Sequence, residues 1–269
     1  MELWLKDHTY NQSMNARADE PMRPTAIAAR RSLHGQIAEY LGMQILGGKL
    51  QPGEILPNEM ALATSLEVSR TAIREAIKVL TSKGLIEVRR KTGTRVRPRR
   101  EWNALDPDVL TWQFGGDALP LGITDLLELR KLIEPAAARF AAERASQENL
   151  RQIEQALADM KKSVGKTAVS VEADLRFHMA ILEATQNSFM RPFGALIAAA
   201  LKASFRLTNA DEAAYKLSLQ KHSAVLASIR DRSPLKAEEA MLKILEGTRV
   251  DIQSALAKHP KSGIKRRKQ

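Results

Sequence analysis

From Ala26 to about Leu46, apolar side chains recur at Ile27, Leu33, Ile37, Leu41, Ile45 and Leu46. That spacing follows the 3.6-residue period and predicts an amphipathic helix, which Gly47-Gly48 stops. Lys49 to Pro57 reads as a turn with a short extended piece, because Pro52-Gly53 punctuates it. Asn58 can then cap a second helix from Glu59 to about Leu66. A tight turn at Glu67-Val68-Ser69 follows, with Ser69 capping a third helix that runs to about Ser82. This helix hides Ile73, Ile77 and Leu80 on one face and shows Arg70, Thr71, Arg74 and Lys78 on the other. After Gly84, two short alternating segments, Leu85–Val88 and Arg95–Arg97, flank a Gly-containing turn and predict a β-hairpin. Helix, helix, tight turn, helix and hairpin make a winged helix-turn-helix, whose third helix suits a DNA major groove.

The pattern changes at about residue 101. Ala-rich amphipathic segments cover roughly 104–114, 123–144, 147–162, 168–184, 189–208, 212–230 and 235–257, with no sustained strand alternation and no Gly-rich phosphate loop. Helices packed around one core make an all-α bundle. The expected fold is therefore mainly α: a winged helix-turn-helix over 26–100 and a helical bundle over 101–257, entered through a linker-helix region at 101–122. A loose N-terminal arm (1–25) and a disordered basic tail (258–269) flank them.

Charge divides along the same lines. The chain has 269 residues and a formal net charge of +11, of which residues 26–100 contribute +8, 101–257 contribute −2, and 258–269 contribute +6. Seven basic residues and no acidic one lie between Arg89 and Arg100. Concentrated positive charge favours a polyanion through counterion release. Zero cysteines exclude disulfides, thiolate zinc sites, iron–sulfur clusters and a cysteine nucleophile. Lacking a membrane-length apolar run and a signal-peptide pattern, the chain reads as a cytoplasmic protein with no membrane partner.

In the bundle, Asp174 and His178 stand four apart on one helix, and His222 lies on a later one between apolar neighbours. Three N/O donors from two helices can hold a divalent cation in a bundle core. The same i, i+4 spacing also describes an ordinary helix-surface pair, and spacing alone leaves both open.

Several runs carry a family resemblance. Leu56-Pro57-Asn58-Glu59, then Val68-Ser69-Arg70-Thr71-Ala72-Ile73-Arg74-Glu75-Ala76-Ile77, then Gly84-Leu85-Ile86 and Gly93-Thr94 resemble the GntR family of bacterial transcription regulators. Asp125-Leu126-Leu127-Glu128-Leu129-Arg130, Ile133-Glu134-Pro135, Asp174-Leu175-Arg176-Phe177-His178 and His222 resemble the FCD effector domain of its FadR subfamily. The linker Trp102 to Trp112 is similar to that of the D-galactonate repressor subgroup. The resemblance implies a homodimeric repressor of sugar-acid or other carboxylate catabolism genes, released from double-stranded operator DNA by a small carboxylate. It implies DNA contacts from Ser69, Arg70, Thr71 and Arg74, and from the wing at Arg90, Lys91 and Gly93. Arg suits guanine because its planar fork matches two acceptors at once. It further implies a divalent metal, zinc or nickel, on Asp174, His178 and His222, and an effector held by Arg130, Ser218 and Asn187.

This sequence departs from the family pattern in places. Met60 and Lys91 stand where many members carry a DNA-contacting Arg and a wing Gly. Thr208 takes the place of a pocket Trp, and Ile244 stands where a further His ligand is usual, which leaves three protein ligands. Two other classes of reading stay open on sequence: a metal-dependent enzyme acting on a small sugar acid, and a nucleic-acid-binding protein without an effector.

Overall fold

A computed structural model describes residues 32–115, 122–165, 167–208 and 212–258. The arm at 1–25, the first turn of the helix expected from Ala26, and the tail beyond Lys258 lie outside them. The chain divides into two compact units, Met1–Asn103 and Ala104–Gln269.

In the first unit, α1 (Leu33–Leu46), α2 (Glu59–Ser65) and α3 (Arg70–Ser82) precede a hairpin of β1 (Ile86–Arg89) and β2 (Gly93–Val96). The caps form where the sequence places them. The Asn58 side chain accepts the Ala61 N–H at 2.9 Å and Ser69 accepts that of Ala72 at 3.2 Å, each satisfying an otherwise orphaned donor. The α1 and α3 faces interlock through Ile37, Leu41, Ile45, Ile73 and Leu80, all buried. The hairpin pairs Ile86 with Val96 and Arg89 with Gly93. Gly93 takes a left-handed φ of 83° as the chain enters β2 from the turn. The extended piece after Pro52-Gly53 becomes a third rung: Leu56 N–H donates to Thr94 at 2.8 Å, and Val96 N–H to Glu54 at 2.9 Å. This is a winged helix-turn-helix.

The second unit is entirely helical among the described residues: α4 (Pro107–Gly115), α5 (Ile123–Arg144), α6 (Gln147–Lys162), α7 (Thr167–Ala184), α8 (Gly194–Thr208), α9 (Glu212–Arg230) and α10 (Pro234–Lys258). α10 packs along α5 and α9, α7 lies on α6, and α8 sits between α4 and α7. Their shared core runs from Leu110 and Phe114 through Ile133, Ile153, Phe177 and Ile197 to Val225, Met241 and Ile252.

Two helix starts differ from expectation for local reasons. α4 begins at Pro107, because the Asp106 carboxylate accepts the N–H groups of Asp108 and Val109 at 2.9 and 3.1 Å and caps the helix there. The segment expected from 189 makes a separate 3₁₀ turn at Arg191–Phe193 before α8 begins at Gly194. Pro192 supplies no N–H, so it is tolerated only in a first helical turn, which is where the 3₁₀ turn places it. No helix among the described residues is long and apolar enough to cross a membrane.

Candidate functional site

Two places bear chemistry. The first is the exposed edge of the winged unit. Arg70, Thr71 and Arg74 are exposed on α3, while Ser69 is tied to the helix start by its cap. Arg74 does not pair along its own helix; it reaches Glu59 on α2 at 3.1 Å. Glu75 instead holds Lys78 at 2.8 Å. An exposed pair of this kind contributes about 0–1 kcal/mol, so Arg74 remains available to a stronger anion. Arg90, Lys91 and Gly93 are exposed at the wing tip. Among the described residues, Arg70, Arg90 and Lys91 form no ion pair with a carboxylate.

The second place lies inside the bundle. α5 contributes Arg130 and Glu134, α7 contributes Asp174 and His178, and α9 contributes His222; all five are buried, Arg130 to 1% exposure. Glu134 binds the Arg130 guanidinium through Nε, with Nη2 at 3.4 Å, and its other side meets His178 Nδ1 at 2.6 Å. Burial alone would raise the Glu134 carboxyl, but Arg130 and His178 outweigh it and hold it at about 2. Burial likewise opposes a charged His178, yet Glu134 and Asp174 push its imidazole up to about 9. Asp174, facing both histidines, is held far below the carboxylate range despite its burial.

The tautomers follow from the neighbours. His222 Nδ1 lies 2.7 Å from the Ser218 carbonyl, which can only accept, so Nδ1 carries the proton and Nε2 is left as a lone pair. That Nε2 faces Asp174 Oδ1 at 3.0 Å, and His178 Nε2 faces the same oxygen at 3.4 Å. Neither contact has the alignment of a hydrogen bond, and Asp174 Oδ1, His178 Nε2 and His222 Nε2 are all buried without a hydrogen-bond partner. Without a metal, the proton on His178 supplies the positive charge beside Asp174; a metal ion among these three atoms would displace it and take the freed Nε2 lone pair. The donor atoms of the three residues lie within 4.8 Å of one another. One oxygen and two imidazole nitrogens, with His178 Nδ1 against the Glu134 carboxylate and His222 Nδ1 bonded to the Ser218 carbonyl, form a donor set that fits a divalent metal ion. The cluster can therefore hold a metal, which would supply positive charge for an anion.

The cluster forms one end of a cavity of about 90 Å³. Arg130, Asp174, His178, Ser218 and His222 line it, so five of the sequence-assigned residues come together. Arg130 Nη1 is buried there with no hydrogen-bond partner. Thr208 and Ile244, in place of the Trp and His of the family pattern, also line the wall. Asn187 does not. It is exposed, and its Oδ1 accepts the Phe189 N–H at 3.0 Å in a local turn, so its side chain serves backbone geometry rather than the cavity. Sequence reasoning missed the Glu134–His178 contact, and missed Tyr215, Thr248 and Asp251 in the wall. The last two stand four and seven residues beyond Ile244, on the same stripe of α10, and that spacing is their only signal.

Comparison with known proteins accords with this architecture. Residues 33–96 match the model for bacterial regulatory proteins of the gntR family, and residues 125–247 match the FCD domain. The chain is 40% identical over 211 residues to the galactonate operon transcriptional repressor of Escherichia coli K12, covering 78% of this chain and 92% of that one. It is 30% identical over 220 residues to the transcriptional repressor NanR of Cronobacter sakazakii, covering 79% and 82%. The solved structure of Lar, which controls the Listeria monocytogenes agr system, shares the fold with a TM-score of 0.60 at 16% identity, over 83% of this chain and 97% of that one. With a DNA-reading unit of GntR type joined to an FCD bundle, and relatives at this identity over nearly their full length, the chain belongs to the GntR family of bacterial transcription regulators.

Proposed function

We propose that this regulator is a cytoplasmic, homodimeric repressor that binds operator DNA through α3 and the wing and is released by a small sugar acid. Arg70 and Arg74 would meet guanine or phosphate, helped by Ser69 and Thr71, while Arg90, Lys91 and the backbone at Gly93 would follow the adjoining groove. In the bundle, Asp174, His178 and His222 would hold zinc or nickel, and Arg130 Nη1 would take the effector carboxylate beside it. Ser218 would accept or donate to a hydroxyl. The missing fourth His, at Ile244, leaves a coordination position for that carboxylate or for water.

One observation carries this reading: Arg130 Nη1, Asp174 Oδ1, His178 Nε2 and His222 Nε2 are buried without a hydrogen-bond partner, and all four residues line one cavity. An unpaired buried polar atom is costly unless a ligand satisfies it. The name of the Escherichia coli relative, a galactonate operon repressor, supports a sugar acid as that ligand. The same cluster serves sensing rather than turnover, since the DNA-reading unit already provides the output.

The test combines metal, acid and operator. Zinc or nickel at about 100 times its Kd should stabilise the protein by about 2.7 kcal/mol, and chelation should remove the gain. A panel of sugar acids should include one that releases the metal-loaded protein from its own upstream DNA, with His178→Ala binding DNA normally but no longer responding. Binding to that DNA no tighter than to random duplex, at matched salt, would refute the regulator reading. Release by an acid equally well in His178→Ala would refute the metal-assisted site.

A further inference from the structure

The cavity has a second end, to which the metal and Arg130 give no role. α10 runs along it, and its exposure grades along one stripe: Ile244 is buried, Thr248 is half-buried, and Asp251 is exposed. Ile244 and Asp251 are separated by about 10 Å of helix rise, roughly the length of an extended six-carbon acid. Arg130, Asp174, His178 and His222 mark the deep end by their burial, and Asp251 marks the mouth.

The walls between these ends offer acceptors and few donors. Ser204 donates its hydroxyl to the Ala200 carbonyl at 2.7 Å, Thr208 to that of Ser204 at 3.0 Å, and Thr248 to that of Ile244 at 3.2 Å. Tyr215 donates to the Met160 carbonyl at 3.2 Å. A hydroxyl has one proton to give, so each of these oxygens turns only lone pairs to the cavity. Asp251 adds a carboxylate, which when ionised accepts only, and among the described residues no cation pairs with it. A wall of this kind welcomes O–H donors and repels a second anion.

We infer that Asp251, with the hydroxyl wall behind it, sets the class of effector: it accepts hydroxyls at the tail of a polyhydroxy monocarboxylate and excludes the corresponding dicarboxylate. The acid group of the ligand is steered to the Arg130 end by attraction there and by Asp251's charge at the mouth. A molecule with carboxylates at both ends must place one against Asp251. This rests on the proposed effector site and adds to it a residue that discriminates rather than binds the acid group.

The experiment uses the full-length, zinc-loaded protein and pairs of six-carbon sugar acids with the same hydroxyl configuration, one oxidised at one end (aldonate) and one at both (aldarate). Affinities are measured by calorimetry for wild type, Asp251→Asn and Asp251→Ser. In wild type, an aldonate should bind at least about tenfold tighter than its matched aldarate, and Asp251→Asn should narrow that gap to about threefold by gaining aldarate affinity. Asp251→Ser should do the same, and melting curves confirm that both variants fold. If Asp251→Asn still excludes the aldarate tenfold, or loses the aldonate as completely as the aldarate, the inference falls while the effector site stands. If wild type binds neither acid of any pair, the effector reading itself fails and takes this one with it.

Discussion

Arg130 carries its charge into the bundle because Glu134, one helical turn further along α5, balances it. Removing one partner of a buried pair costs up to about 3–5 kcal/mol, here lessened because Glu134 keeps its 2.6 Å contact with His178. Arg130→Ala should therefore lose stability within that range, and adding Glu134→Gln should recover part of it, because a neutral amide tolerates the site better. Neither variant should respond to an effector, since both lack Nη1. Thermal melts report the first effect and operator release the second; a stable but unresponsive Arg130→Ala would show that Glu134 does not depend on Arg130. The Arg130–Glu134 and Asp174–His178 pairings could be foreseen because i, i+4 residues share a helix face. His222 could not be joined to them by spacing, and the Glu134–His178 contact depends on how α5 meets α7. Asn187 shows the opposite failure: a polar residue beside a helix looks available, yet its carbonyl is consumed by the nearest backbone N–H.

Elements form where local chemistry and packing agree. Gly84 ends α3 with φ at 71°, and a Cβ there would meet the Glu101 carbonyl oxygen at 2.6 Å. A side chain pays about 1–2 kcal/mol for the left-handed backbone alone, and the contact with fixed backbone adds to it. Gly84→Ala should thus destabilise the winged unit by more than about 2 kcal/mol. It should weaken operator binding at physiological temperature while leaving zinc affinity unchanged, because the metal cluster belongs to the other unit. Equal loss of zinc affinity, read by calorimetry, would contradict that independence. The hairpin, the Ser69 cap and the ends of α5 and α6 were legible because glycine, Ser and Asn act within one turn of their position. The starts of α4 and α8 were not, because apolar residues in a flanking loop, Ala104 and Leu105 before one and Phe189 and Met190 before the other, carry the same signal as in a helix. There Asp106 and Pro192 decided the boundary, and their effect depends on backbone geometry.

At the scale of the molecule, reading and sensing use opposite electrostatics. The winged region, 26–100, carries +8 for a polyanion, whereas 101–257 carries −2 and buries Arg130 beside three residues that could hold a metal. Separate sites on one chain make linkage testable without knowing how the units move. If an effector changes operator affinity by some factor, operator DNA must change effector affinity by the same factor. Allosteric couplings in general run to about 5–150-fold. The two ratios should agree when effector is titrated with and without saturating operator, and operator with and without saturating effector, in one salt. Arg70→Ala supplies the control: without its α3 contact the operator should no longer shift effector affinity, while effector binding to the free protein stays at the wild-type value. Unequal ratios would mean that effector and operator do not act on a single equilibrium. An Arg70→Ala protein with altered effector affinity would mean that this arginine acts on effector binding without operator.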